Sequence, residues 1–314
     1  MPSHHLGTDP DVLVHQALLY RGSEELARAV ADFVLEGVAA GEPAMVAAPG
    51  AHLDAIRDAL GPDAERVRLV DMSELGRNPG RIIPAVRDWA QAQRPGRRLR
   101  FVGEPIWAGR RPSEIAEATR HEALLNLAFA GIGVTILCPY DAEALPPQVL
   151  ADAERTHPEL VCEGEHRPSP AYADPLEVYD AGAWTLPAPT GPVTEVPLDD
   201  DLARVRGVVR ERAKTAALAG ERLERLLLAA TEAVANSLRH GGAPGVLRLW
   251  QDADELVCEI ADHGRISDPL VGRRTPAPSR PDGRGLWLIN QLCDLVQLRP
   301  RADGTTLRLH MRVA

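Results

Sequence analysis

Three polar residues recur four positions apart in an otherwise apolar helical segment: Glu232, Asn236 and His240. Residues at this spacing lie on one face of an α-helix, one turn after another. They suggest a binding site, because polar groups are costly to bury without partners. An amide oxygen suits Mg²⁺, which prefers oxygen ligands, and a carboxylate can act as a general base for a phosphoryl acceptor.

Three glycine-containing motifs follow this helix: Asp262-His263-Gly264 at the end of an apolar strand, Gly283-Arg284-Gly285-Leu286 at the start of a helix, and Gly304-Thr305 at the start of a strand. An acid at a strand end can accept a hydrogen bond from an adenine amino group, and Gly264 lets the backbone approach a flat base. Gly283 and Gly285 free backbone amides where a helix start favours phosphate. Each motif alone fits an ordinary turn, helix entry or polar seam, but their order favours a nucleotide site.

Over about residues 196–314 the chain resembles the Bergerat-fold (GHKL) ATPases, and among them the anti-sigma-factor serine/threonine kinases of bacterial stress and sporulation switches. The family patterns E-x-x-x-N, D-x-G and G-x-G-L, with a following His-Gly and a terminal Gly-Thr, match the motifs above. The resemblance implies ATP and Mg²⁺ as cofactors, Glu232 as the catalytic residue and Asn236 as the Mg²⁺ ligand. It also implies that the remaining matched residues bind the nucleotide, namely His240, Asp262, Gly264, Gly283, Gly285, Leu286 and Thr305.

Two departures from the family pattern bear on activity. Ile266 stands where the family's Asp-x-Gly-x-Gly has its second glycine, and the segment between the glycine motifs is short. The short segment predicts a small lid over ATP, and both features argue against tight ATP binding and rapid turnover. A non-catalytic, ATP-gated module that sequesters a transcription regulator therefore stays open as an alternative to a kinase.

The first half of the chain alternates strand and helix patterns, which predicts a parallel sheet covered by helices on both faces. The predicted strands are residues 43–48, 67–71, 99–104 and 134–138, and the predicted helices are 23–40, 51–60, 79–93 and 113–130. Strand 43–48 is not followed by the phosphate-binding pattern G-x-x-x-x-G-K-[ST], so we do not expect ATP hydrolysis in this half.

Chemically useful residues follow the later strands of this half. The segments that carry them are Gly103-Glu104-Pro105-Ile106-Trp107, His121-Glu122 and Cys138-Pro139-Tyr140-Asp141. Over about residues 12–160 they resemble the MEDS sensory domain of methanogen and methylotroph regulators, which is built like a degraded RecA/KaiC core. The resemblance implies sensing of a small molecule or partner, with a pocket at the strand ends lined by Glu104, Trp107, His121, Glu122, Tyr140 and Asp141. The alternative is that His121 and Glu122 are ordinary helix residues and that Tyr140 only packs.

The rest of the chain completes a two-domain scheme. Prolines recur through residues 161–197, which predicts a linker between a sensory domain at 12–160 and an ATPase domain at 198–314. The second domain is predicted to be an α+β sandwich, with helices at 199–217, 221–239 and 285–296 and strands at 246–252, 256–262 and 305–312.

Composition excludes some classes of protein. The chain has 314 residues and a formal net charge of −10, which argues against a nucleic-acid-binding surface and against an anionic membrane. We find no signal peptide at the N-terminus and no apolar run long enough to cross a bilayer, so a cytoplasmic protein is expected. The four cysteines lie far apart without a C-x-x-C pair, which predicts reduced thiols and no zinc site.

Together these features predict a bacterial cytoplasmic signal-transduction regulator. In it, a sensory domain with an unknown small-molecule ligand controls a kinase that phosphorylates a serine of an anti-anti-sigma (STAS-type) protein, with a sigma factor as a further partner. A histidine-kinase-like sensor is the third alternative, in which His121-Glu122 would be the phosphoacceptor motif; it needs a helical hairpin that the sequence does not show. Whether the chain forms a homodimer is left open.

Overall fold

The computed structural model describes residues 12–181, 185–242, 244–277, 283–301 and 303–313. The chain divides into two compact units: the first comprises residues 12–79 and 85–181, and the second comprises residues 80–84 and those from Thr185 onward. Each unit has its own sheet. Within the described ranges, none of the helices combines the length and apolar character needed to cross a membrane.

The first unit is built on a seven-stranded sheet. Its strands are β1 (Val14–Tyr20), β2 (Ala44–Ala48), β3 (Val67–Asp71), β4 (Leu99–Gly103), β5 (Val134–Asp141), β6 (Glu159–Cys162) and β7 (Glu165–Pro168). They lie in the order β3-β2-β4-β5-β1-β6-β7, and all neighbours are parallel except β6 and β7. The predicted parallel sheet is therefore confirmed, while its likeness to a RecA core stays a prediction.

The strand sequences explain why this sheet is covered on both sides. All five residues of β2, Ala-Met-Val-Ala-Ala, are buried, as expected for a strand with helices on both faces. The covering helices are α1 (Gly22–Ala39), α2 (Gly50–Leu60), α3 (Met72–Leu75), α4 (Ile82–Gln91), α5 (Pro112–Ala128), α6 (Pro147–Thr156) and α7 (Pro175–Asp180). Unlike the amphipathic α1, α5 buries charged side chains along with apolar ones, among them Glu117, Arg120 and Glu122. Interior charges need partners, so α5 is where a buried site is expected.

The second unit packs three helices on one face of an antiparallel sheet. Its elements are β8 (Thr194–Pro197), α8 (Leu202–Thr215), α9 (Gly220–Asn236), β9 (Val246–Asp252), β10 (Glu255–Asp262), α10 (Arg284–Leu292), β11 (Leu295–Arg301) and β12 (Gly304–Arg312). The strand order is β11-β12-β10-β9-β8, with every described pair antiparallel. Val209 of α8, Leu227 of α9 and Ile289 of α10 meet alternate residues of β10 and β12 in one core. This is the predicted α+β sandwich.

The segment interpreted from its prolines as a linker contains regular structure. Residues 161–197 include the second half of β6 and all of β7, α7 and β8. The prolines lie where these elements tolerate them: Pro168 and Pro197 end edge strands, and Pro175 is the first residue of α7. Reading proline as a breaker of all structure was therefore wrong for this segment.

Other predicted boundaries also moved. The strands β1 and β11 and the helix α6 were not identified from the sequence, and the helix predicted at 285–296 ends at Leu292. Leu295 and Val296 instead begin β11, because a short apolar run fits a buried strand as well as a helix. The helix predicted at 221–239 ends at Asn236 and continues as a π-helical turn, Ser237–Gly241.

Candidate functional site

The polar face of α9 meets the start of α10 at a glycine. Glu232 and Asn236 are both half-buried and one helical turn apart. A Cβ atom built on Gly285 would lie 2.4 Å from Asn236 Nδ2 and 2.6 Å from Glu232 Oε1. Real Cβ atoms essentially never come this close, so any larger residue here would require the ends of the Asn236 and Glu232 side chains to move.

A second close approach is made at the end of β10. Asp262 Oδ1 accepts a 2.7 Å hydrogen bond from the backbone N–H of Gly264. A Cβ on Gly264 would lie 2.8 Å from the Cα of Gly241 and 2.9 Å from the carbonyl oxygen of His240. Thr305 Oγ1 donates a 2.7 Å hydrogen bond to the carbonyl oxygen of Gly264. The turn after Asp262 is thus fixed by three contacts: the hydrogen bond within the turn, the packing against the turn that ends α9, and the hydrogen bond from β12.

The start of α10 is set by Gly283. This glycine caps the helix with φ +84°, a left-handed conformation that favours glycine. Leu286, one residue beyond Gly285, is half-buried and packs on the core of the second unit. The first turn of α10 therefore lies beside the end of α9, and the unpaired backbone N–H groups of a helix start can bind anions.

These contacts define what we call the α9 cleft: Glu232, Asn236, Asp262, Gly264 and Gly285. The structure brings Glu232 and Asn236 to Gly285, and Asp262 and Gly264 to Thr305. His240 contributes its backbone carbonyl to this arrangement, while the residue is exposed. The cleft offers carboxylate, amide and backbone groups that are half-open to solvent, as a site for an exchanging ligand requires.

In the first unit, Glu104 lies where the carboxyl ends of the parallel strands meet. It follows β4 directly, and its carboxylate accepts a 2.9 Å hydrogen bond from the Tyr20 hydroxyl at the end of β1. His52 Nδ1, in the first turn of α2, lies 2.9 Å from Glu104 Oε2. Burial raises the pKa of Glu104, and the hydrogen bond to Glu104 raises the pKa of His52. Tyr20 and His52 were missed in the sequence, although His52 follows a predicted strand closely.

The other residues predicted for the sensory pocket lie in different parts of the first unit. Asp141 ends β5 and accepts hydrogen bonds from the backbone N–H groups of residues 143 and 144. The ring of Trp107 lies 4.4 Å from the guanidinium of Arg110. His121 is buried in α5, and Tyr140 is buried on β5 with its ring 5.6 Å from that of His157. Of the predicted set, only Glu104 and Asp141 lie together at the strand ends.

Glu122 belongs to a separate group that the sequence did not reveal. His15 on β1, Cys138 on β5 and His157 at the end of α6 surround its carboxylate, and we call these four residues the His15 cluster. All four side chains are buried, and their nearest donor atoms lie within 4.8 Å of one another. Burial lowers the pKa of His15, and the neighbouring His157 acts in the same direction, so the neutral imidazole is favoured.

Comparison with protein-family models identifies both units. Residues 14–158 match the model of MEDS, the methanogen/methylotroph, DcmR sensory domain, and residues 195–311 match the histidine kinase-like ATPase domain. The two domain families recognised in the sequence are thereby confirmed. The chain joins a sensory domain to a histidine kinase-like ATPase domain, the combination of a signal-transduction regulator, and the second match implies ATP binding.

Comparison with whole proteins identifies fewer similarities than the family models do. No curated protein matches the chain. Among solved structures, the RsbU and RsbW domains of Rv1364c from Mycobacterium tuberculosis match with 21% identity and a TM-score of 0.31. That match covers 39% of this chain and 32% of the other, so it spans about a third of the solved protein.

Proposed function

We propose that the second unit binds Mg-ATP in the α9 cleft and acts as a serine/threonine kinase of the anti-sigma-factor type, under control of the first unit. The observation that carries this proposal is the pair of glycine contacts, Gly285 on Glu232 and Asn236, and Gly264 on the turn after α9. At Gly264 a Cβ would meet backbone, and at Gly285 it would meet the polar ends of Asn236 and Glu232. Two glycines in such close contacts, each beside a polar side chain that nucleotide chemistry uses, are expected of a ligand cleft.

The side chains divide the recognition of ATP among them. Asp262 has one carboxylate oxygen occupied by Gly264, which leaves the other to accept from the adenine amino group. The amide oxygen of Asn236 suits Mg²⁺, and the N–H groups at the start of α10 suit the phosphates. Gly283 sets the direction of that helix start, Leu286 gives the site an apolar wall, and Thr305 holds the Asp262 turn. His240 closes α9 beside the turn through its backbone.

Phosphoryl transfer would add one role. Glu232 lies one turn before Asn236, where it can take the proton of an acceptor hydroxyl. The acceptor in this proposal is a serine of an anti-anti-sigma (STAS-type) protein, and binding of a sigma factor by the same unit would link the switch to transcription. The first unit, a degraded RecA-like domain in this proposal, would sense a small molecule at the Tyr20, His52 and Glu104 group.

Calorimetric titration of the full chain with Mg-ATP tests the nucleotide site. We expect saturable binding by the wild type, a loss of at least about tenfold in affinity for Asp262→Asn, and a similar loss for Asn236→Ala, since each removes a hydrogen bond or ligand to a charged or base group. Asp200→Asn, an exposed carboxylate outside the cleft, is the matched control and should bind as the wild type does. A folded wild type that does not bind Mg-ATP would overturn the proposal.

Transfer of phosphate separates the kinase from the alternative of a non-catalytic, ATP-gated binding module, which Ile266 in the glycine-poor turn favours. Incubation with labelled ATP and a STAS-type protein should place the label on a partner serine, and Glu232→Gln should abolish the label while keeping ATP affinity. A stable ATP-dependent complex without label would instead establish the binding module.

The histidine-kinase alternative now has an observation against it. His121 is 1% exposed, and α5 packs within an α/β unit. A phosphoacceptor histidine must reach a nucleotide held by another domain, so a buried one is unsuited to the role. Label on a histidine of the chain itself would reverse this conclusion.

A further inference from the structure

The His15 cluster is not used by the function proposed above, and its four donor atoms lie at distances that a metal ion explains. Glu122 Oε2 lies 3.3 Å from His15 Nε2, 3.4 Å from His157 Nε2 and 3.3 Å from Cys138 Sγ. Cys138 Sγ lies 3.5 Å from His15 Nε2. Around a tetrahedral Zn²⁺ with ordinary bond lengths, ligand atoms are about 3.3–3.6 Å apart. These four of the six ligand pairs agree with the edges of such a tetrahedron, and the other two pairs, which join His157 to His15 and to Cys138, lie within 4.8 Å.

Hydrogen bonds outside the cluster orient both imidazoles. His15 Nδ1 lies 3.1 Å from Asn126 Oδ1, and the Asn126 amide is fixed in turn by donating to the carbonyl oxygen of Thr156. His157 Nδ1 lies 2.8 Å from the carbonyl oxygen of Ala153, which can only accept. Both Nδ1 atoms therefore carry protons and both Nε2 atoms point into the cluster. Metal-binding histidines are held in this way by their second nitrogen.

Two buried polar atoms in the cluster lack a hydrogen-bond partner among the described residues. They are Oε1 of Glu122 and Nε2 of His157, whose 3.4 Å distance from Glu122 Oε2 is an ion-pair contact without hydrogen-bond geometry. Both side chains are 0% exposed. An unpaired polar atom in the protein interior costs roughly 1–3 kcal/mol. Nitrogen, sulfur and oxygen atoms that converge in the interior, two of them without a hydrogen bond, form a donor set suited to a cation.

We infer that the His15 cluster is a binding site for a divalent transition metal, with Zn²⁺ as the best fit and His15, Glu122, Cys138 and His157 as its four protein ligands. Two imidazoles and a thiolate select Zn²⁺, Co²⁺ or Fe²⁺ over Mg²⁺ and Ca²⁺, which prefer oxygen. On binding, the Cys138 thiol gives its proton to solvent and forms a bond from sulfur to the metal. The ligands come from β1, α5, β5 and the end of α6, so a bound ion ties the centre of the sheet to its covering helices.

Cobalt titration of the full chain tests this inference. The protein, freed of metal with a chelator and returned to Mg²⁺ buffer, should take up one equivalent of Co²⁺. Uptake should produce the visible bands of tetrahedral Co²⁺ and a near-ultraviolet sulfur-to-cobalt band, and Zn²⁺ should displace both signals. Elemental analysis after dialysis against Zn²⁺ should give one ion per chain, and bound Zn²⁺ should raise the unfolding temperature of the first unit by about 5 °C or more.

Matched variants locate the site. Cys138→Ser should remove the sulfur band and weaken Co²⁺ binding by about 100-fold or more, and Asn126→Ala should weaken it by about 10-fold through loss of orientation. Cys162→Ser, a half-buried cysteine on the neighbouring strand β6, should change neither signal. If Cys138→Ser does not fold by circular dichroism, His157→Gln takes its place.

Three outcomes overturn the inference: a folded wild type without stoichiometric Co²⁺ or Zn²⁺, signals that persist in both Cys138→Ser and His157→Gln, or equal loss in Cys162→Ser. Mg-ATP affinity is measured separately on the same samples. A result against the metal site is therefore distinguishable from a result against the proposed kinase, because metal uptake and Mg-ATP binding are separate measurements.

Discussion

The His15 cluster and the α9 cleft each gather polar side chains from several elements, yet they differ in access to solvent. The cluster is sealed, with the side chains of His15, Glu122 and His157 at 0% exposure. In the cleft, Glu232 and Asp262 are half-buried, and glycines rather than large side chains close the gaps. A sealed site suits a resident ion that stabilises the fold, whereas an open one suits a ligand that exchanges. The same residue type, glutamate, should therefore have different energetic consequences in the two places.

Replacing that glutamate in each site should give the largest difference. Glu122→Ala removes the central acceptor of a sealed group, so we expect the first unit to lose about 3–5 kcal/mol of unfolding free energy. Glu232→Ala should change the stability of the second unit by less than about 1 kcal/mol, because water reaches the cleft. Urea unfolding followed by circular dichroism measures both, with the exposed Glu143→Ala as the control for the first unit. Equal losses at Glu122 and Glu143 would remove the distinction between the sites.

A methyl group added at Gly285 should be next in effect, and it tests the open site through its ligand. In Gly285→Ala the new Cβ must displace the ends of the Asn236 and Glu232 side chains, so we expect Mg-ATP affinity to fall by at least about tenfold. The matched control is Gly207→Ala on α8, where nothing lies within 4 Å of the added Cβ. That change should leave ATP binding intact and stabilise the helix by about 0.5–1 kcal/mol. Undiminished ATP binding by Gly285→Ala would mean that the nucleotide does not use this contact.

The two sites also differ in how far the sequence could predict them. The residues of the α9 cleft belong to short motifs with glycines at fixed spacings, so the sequence could propose them as a group before the structure brought them together, and their role as a nucleotide site stays a prediction. In the His15 cluster, His15 and Glu122 are 107 positions apart, and β1, which carries His15, was not identified as a strand. Searching for neighbouring cysteine pairs predicted no zinc site, because that rule assumes ligands on one local segment. The prediction of a linker at residues 161–197 was wrong for a related reason. A proline is compatible with a strand at the edge of a sheet, and only the tertiary structure decides which strands lie at an edge.

A smaller effect is expected from the hydroxyl that holds the Asp262 turn. Thr305→Val keeps the side-chain shape but removes the 2.7 Å bond to the carbonyl of Gly264, a loss of about 1 kcal/mol, so ATP affinity should fall by about fivefold. Thr306→Val, one residue later on the opposite face of β12, should leave affinity unchanged. Calorimetry on both variants measures the difference. The same affinity for both would show that the turn keeps its shape without Thr305.

The smallest effect is expected at the group of Tyr20, His52 and Glu104 in the first unit. This group is more open to solvent than the His15 cluster and less open than the α9 cleft. The pKa of His52 is raised, chiefly by its hydrogen bond to Glu104, so the folded state holds this proton more tightly than the unfolded chain does. The contribution of protonated His52 to the stability of the first unit is therefore full below about pH 6.5, the pKa of an unfolded histidine. It is lost as the pH rises through the pKa of His52 in the folded state. Glu104, whose pKa is raised mainly by burial, changes stability in the same direction, and the carboxylate of Asp141 raises the pKa of both groups. The unfolding temperature of the first unit should thus fall between pH 6 and pH 8, and His52→Gln should flatten that slope. If the unfolding temperature of His52→Gln varied with pH as strongly as that of the wild type, the pH dependence would arise from other groups of the unit. The His52–Glu104 contact would then have no role in it.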